Sequence, residues 1–132
     1  MQHRLTALVL AAGSAVLLSA CGSQQIELRE GANANIERGA VLFAERCSGC
    51  HTMDSAAAEG SATSINDRER VDGPNFNTRC ETRDNVLYAI RNGGYSGAIM
   101  PENIVVGRDA EDVADFLAEY AGVDADIGCA GQ

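Results

Sequence analysis

Along residues 33–50, apolar side chains return at helical spacing. Ile36, Ala40, Phe43, Cys47 and Cys50 follow one another at steps of four, three, four and three, which places them on one helical face. The pattern predicts a helix from about Asn33 to Cys50, with its thiols on the apolar side. A second helix is expected through Val86, Leu87 and Ile90, capped by Thr82 or Asp84 and stopped by Asn92-Gly93-Gly94. The clearest pattern comes last. Val113, Phe116, Leu117 and Tyr120 stand at i, i+3, i+4 and i+7. Asp109 is expected to cap this helix, with Asp112 at capping-box spacing and Glu111 favourable in the first turn. Gly122 is placed to end it.

Between these segments the periodicity fades. TMDSAAAEGSATSINDRERVDG, residues 52–73, is polar and rich in small residues, so it reads as a long surface loop with room for a short helical turn. GPNF, residues 73–76, is a turn signal with an apolar residue attached. YSGAIMPENIVVG is a loop punctuated by Pro101 and Gly107, and Val105 and Val106 are too isolated to make a strand. There is no internal repeat. The expected fold class is all-α.

Residues 1–20 stand apart. His3 and Arg4 precede an apolar run from Leu5 to Leu18, apolar all round and too short to span a bilayer comfortably; this is the layout of a secretory signal. Leu18-Ser19-Ala20-Cys21 resembles the lipobox of bacterial lipoproteins. That resemblance implies a diacylglyceryl group on Cys21, cleavage before it, and a flexible tether over 21–32. Ordinary signal cleavage near Ala20 is the competing reading. The folded domain is expected over 33–125, with 126–132 as a C-terminal tail.

Charge and composition narrow the partners. The formal charge is −9 and there is no Lys; loss of Arg4 with the signal leaves the remainder more acidic still. Such a surface repels nucleic acid and docks best against a basic protein patch. Three Phe, three Tyr and no Trp make a thin core for a small domain. Domains of this size often add a disulfide, a metal or a bound cofactor.

The candidate chemistry sits in CSGCH, residues 47–51. Cys-x-x-Cys-His is the attachment pattern for c-type haem. Two cysteines about one helical turn apart can reach the two vinyl groups on one porphyrin edge, and the next imidazole then points toward iron. Ser48 and Gly49 are small enough to let the ring edge lie close. Two rivals remain. Thiol–disulfide exchange would want a strand before residue 47, and zinc would want four ligands, with Cys80 and Cys129 to complete the set. For a haem held by His51, the second axial position is open to Met100. Once residues 1–20 are gone there is no other His and no Lys, and Met53 is tied to the proximal side. Met100 precedes Pro101 and follows a Gly-rich loop; the alternative is a core gap-filler. A thioether opposite an imidazole favours the ferrous state and leaves no site for oxygen.

On CSGCH, GPNF, the loop ending in Met100-Pro101 and the two terminal helices, residues 36–120 resemble the small monohaem cytochromes c with His/Met ligation. The resemblance implies a small cytochrome c fold, three to five helices and loops wrapped around one covalently attached haem c and its iron. It also implies that Pro74 offers its carbonyl to the other ring nitrogen of His51. Close crossing of the first and last helices is implied too, with Gly39 and Phe43 facing Val113 and Phe116. Gly39 within a helix costs roughly 1 kcal/mol against Ala, and close helix contact is a reason to keep it. The long loop before Gly73 and two extra cysteines depart from the commonest pattern. With Cys21 assigned to lipid and Cys47 and Cys50 to haem, Cys80 and Cys129 remain. They pair as a disulfide or stay as free thiols.

The expected function is single-electron transfer, with no enzymatic step, between protein donors and acceptors on the outer face of the bacterial cell membrane. The alternatives are a haem subunit of a larger oxidase or dehydrogenase, and a haem enzyme or gas sensor whose sixth ligand leaves.

Overall fold

The computed structural model describes residues 25–61, 69, 71–95, 99–125, 128 and 129. Three helices organise them. Helix α1 runs Ala34–Arg46, α2 Arg83–Asn92 and α3 Arg108–Tyr120. Each buries the face that the spacing predicts: Ile36, Ala40 and Phe43 on α1, Val86, Leu87 and Ile90 on α2, and Val113, Phe116, Leu117 and Tyr120 on α3. Burying each large side chain contributes about 1.5–3 kcal/mol.

Helices α1 and α3 cross at Gly39. A Cβ at that position would overlap the Asp112 carbonyl and the Phe116 Cβ, so only glycine lets the two backbones approach this closely. Phe43 and Phe116 meet edge to face beside the crossing, centroids 6.0 Å apart, the arrangement their ring quadrupoles favour. Helix α2 also packs against α3. Thr82 caps α2, its side chain accepting from the Asn85 amide, and Gly93 ends it with a left-handed φ of 68°.

The structure differs from the sequence expectations in four places. Helix α1 ends at Arg46, four residues early. Both the Cys47 and Ser48 amides bond to the Phe43 carbonyl, and the Ser48 hydroxyl donates to Ala44 O. This competition loosens the ladder into turns. Asp109 is not the cap of α3, because Arg108 is already helical and Gly107 occupies the cap position. Asp112 likewise does not reach back to a cap. It is buried, and Arg38 of α1 donates to it at 2.9 Å.

The third difference is a small antiparallel ladder within 52–73, β1 (Thr52–Met53) against β2 (Ala58–Glu59), joined by a 3-10 turn at Asp54–Ala56. Thr52 and Ser61 lock its open end through three buried hydrogen bonds, and Met53 lies in the core. Fourth, chain packing begins before residue 33. Ile26, Leu28 and Ala32 lie against the core, Glu27 N donates to Ser55 O, and Arg29 N donates to the Tyr120 hydroxyl.

Candidate functional site

One cavity of about 500 Å³ opens between the three helices and the loops that join them. Its walls are mostly apolar, with Phe43, Phe76, Val86, Ile90, Val113 and Leu117 among them. Cys47, Cys50, His51, Pro74 and Met100 all line it. Residues from three separate stretches of sequence are thus brought to one chamber. Cys21 lies outside the described residues.

Turns carry the first group there. After Cys47 the chain keeps a helix-like path, with Cys50 N and His51 N both donating to the Cys47 carbonyl at 3.1 and 3.0 Å. Cys47 and Cys50 are half-buried free thiols. Burial, with repulsion from Cys50 as a second cause, pushes the Cys47 thiol up to about 12. A thiol–disulfide exchange site needs the opposite, a depressed pKa and a ready thiolate. The strand that such a site would want before residue 47 is also missing among the described residues.

His51 is fixed from three directions. Its Nδ1 lies 3.1 Å from the Pro74 carbonyl. A carbonyl can only accept, so Nδ1 carries the proton and Nε2 keeps its lone pair for a metal. Phe76 stacks on the ring at 4.9 Å and 19°. Gly73 closes the third side, since a Cβ there would run into the imidazole. Burial lowers the imidazole pKa, the Pro74 bond opposes this, and the positive charge of Arg79 adds to the lowering. The ring is therefore held neutral, the form that ligates.

Backbone bonds hold this arrangement on both sides of the histidine. Gly73 N donates to Cys50 O at 2.7 Å, and Phe76 N to Thr52 O at 2.9 Å. Asn77 exchanges bonds with Asp54, its Oδ1 accepting from Asp54 N and its Nδ2 donating to Asp54 Oδ1.

Met100 enters from the loop after α2. Gly93 lets that loop fold back, because a Cβ there would stand 2.8 Å from the Met100 carbonyl. Gly94 sits under the methionine, where a Cβ would come within 4.0 Å of its sulfur. Asn103 N then donates to Ile90 O at 2.7 Å, tying the loop back to α2.

Cys80 and Cys129 are joined by a disulfide. They are therefore not available as ligands, and among the described residues no group of three or more His, Cys, Asp or Glu side chains comes together to hold a metal ion. Sequence reasoning did not find Gly73, Phe76 or Asn77 as supports of His51. It also missed Arg79 and Glu81, which line the same cavity and pair with each other at 2.5 Å. The signal was an Arg and a Glu two apart across a cysteine, which is weak in a polar stretch.

The family model described as Cytochrome c matches residues 36–120. Comparison with curated proteins and with solved structures gives no match.

Proposed function

The chain belongs to the cytochrome c family, and we propose that it is a monohaem carrier of single electrons. A cytochrome c domain holds haem c covalently, with its iron, and that group, when bound, supplies a reversible one-electron site. The residues present fit it. The cavity is apolar, its thiols are unpaired, and Gly73 on its lining leaves the His51 ring space that a side chain would take.

In this reading Cys47 and Cys50 form the thioethers, and His51 offers Nε2 to iron. Pro74 orients His51 through Nδ1 and raises its basicity. Met100, on the same lining, would offer its sulfur as the second ligand. Soft sulfur opposite imidazole favours the reduced state and raises the potential. With His51 and Met100 both as ligands, the group would pass electrons and leave no place for oxygen. The observation that carries the reading is the convergence of Cys47, Cys50, His51 and Met100 on one chamber, with Nδ1 of His51 already engaged.

Partner and place follow from the surface and the N-terminus. Val71, Tyr95 and Ile99 line the cavity yet are exposed, so its mouth has an apolar rim on an acidic protein. That combination suits a redox protein with an apolar spot ringed by basic residues. Among the described residues no helix is long and apolar enough to cross a membrane. In this reading Cys21 carries lipid and the domain works at the outer face of the bacterial cell membrane. Anchoring raises its effective concentration near membrane donors and acceptors.

The experiment is production of the full chain in cells able to attach haem. Purified protein should be coloured and keep its haem through denaturation, and carbon monoxide should leave the reduced spectrum unchanged. A colourless product would overturn the reading. Carbon monoxide binding would instead support a haem enzyme or gas sensor with a labile sixth ligand.

A further inference from the structure

The apolar wall of the cavity is interrupted at one place by an ion pair. Arg79 and Glu81 both line the cavity, and Arg79 Nε lies 2.5 Å from Glu81 Oε1. The two partners are not equally wet. The Glu81 side chain is 6% exposed and that of Arg79 50%, so the carboxylate is set into the wall while the guanidinium reaches solvent. Cys80 between them is bonded to Cys129, which pins the segment so that the carboxylate stays against the chamber.

The surroundings do little to neutralise Glu81 beyond that one partner. Helix α2 contributes Asn85, Val86, Ala89 and Ile90 to the cavity, and α3 contributes Val113 and Leu117, all uncharged. Arg46 comes from the exposed end of α1, and Tyr95 from the loop after α2. Asp72, the other carboxylate on the lining, accepts from the Glu69 amide at 2.6 Å. His51 is held neutral, and in the proposed reading the Cys47 sulfur is an uncharged thioether.

We propose that Glu81 is a proton-binding site coupled to the oxidation state of the protein, protonated from solvent when the protein accepts an electron and deprotonated when it gives the electron up. The proposal rests on the cavity being the haem site. When a donor protein delivers one electron, the chamber gains one negative charge. Glu81 answers by taking one proton from water, an O–H bond forms on its carboxylate, and no bond of the protein breaks. On oxidation the proton returns to solvent. Charge in a low-dielectric chamber is costly, so matching each electron with a proton lowers the cost of reduction. Burial already holds the Glu81 carboxyl above the ordinary carboxylate range, with Arg79 pulling the other way.

Redox potentiometry of the haem-loaded protein from about pH 5 to about pH 9 tests this. Wild type should show a potential that falls as pH rises above the carboxylate range. The limit is a tenfold change in the reduction equilibrium per pH unit, about 59 mV for one electron. Glu81→Gln should be flat, with a potential near the acid plateau of wild type, because the amide stands in for the neutral acid. Arg79→Gln should keep the slope and move its window to higher pH, since the carboxyl loses its cation. A flat wild-type profile would overturn the proposal. So would a Glu81→Gln protein that keeps the wild-type slope, which would assign the proton to another group such as the haem's own carboxylates. Should Glu81→Gln fail to fold, an Arg79→Gln window that stays in place overturns it alone. Failure of the underlying reading is seen separately, as wild-type protein without covalent haem.

Discussion

Gly73 lies so close to His51 that a Cβ on it would collide with the imidazole ring. The glycine is therefore one wall of the slot that holds the ring, together with the stacked Phe76 and the Pro74 carbonyl. Gly73→Ala should push the imidazole off its bond to Pro74. The expected cost is about 1–3 kcal/mol, as for overpacking a well-filled core. Denaturant unfolding of the haem-loaded protein measures it. The visible spectrum should change together with stability, since the ring that moves is the one assigned to iron.

At the helix crossing the balance can be decided by magnitude. Gly39→Ala gains about 1 kcal/mol of helix propensity, but its methyl group would overlap the Asp112 carbonyl and Phe116. Backbone on α3 cannot move aside without separating Phe43 from Phe116. The packing loss, about 1–3 kcal/mol, should equal or exceed the propensity gain. Thermal or denaturant unfolding should therefore show a protein no more stable than wild type, and a clear gain would contradict the crossing.

The Cys80–Cys129 bond closes a span of 49 residues. On the chain-entropy model its removal costs about 4 kcal/mol. Replacing both cysteines by serine should lower stability by an amount of that order. It should also loosen the segment that carries Arg79 and Glu81. Equilibrium unfolding of the double variant against wild type is the measurement.

Glu81 should also leave a mark on stability. Its folded-state pKa is raised by burial, so between the ordinary carboxylate value and the raised one the native state binds more protons than the unfolded state. Stability then falls as pH rises through that window. The stability of wild type relative to Glu81→Gln should accordingly be greatest below the ordinary carboxylate range and shrink as pH rises through it. Unfolding both proteins at several pH values checks the sign.

The helices were legible because each carries its own apolar face. Val113, Phe116, Leu117 and Tyr120 needed no partner to be read. What escaped depends on tertiary partners. Asp112 has the spacing of a capping residue, yet Arg38 on another helix claims it. Thr52–Met53 and Ala58–Glu59 are too short to show any alternation, and side-chain bonds between Thr52 and Ser61 lock the end of the ladder they form. In the cavity, CSGCH is visible by its spacing, and the fold brings Cys47, Cys50 and His51 of that stretch to the lining. Gly73 and Glu81 did not, since close approach and burial are properties of the folded chain.

The most direct test of the account concerns Met100 and the second face of the iron. Ferric wild-type protein should show the weak red absorption band that marks a thioether ligand, and Met100→Ala should lose that band while its haem stays covalently attached. A band that survives the substitution unchanged would contradict the assignment of Met100.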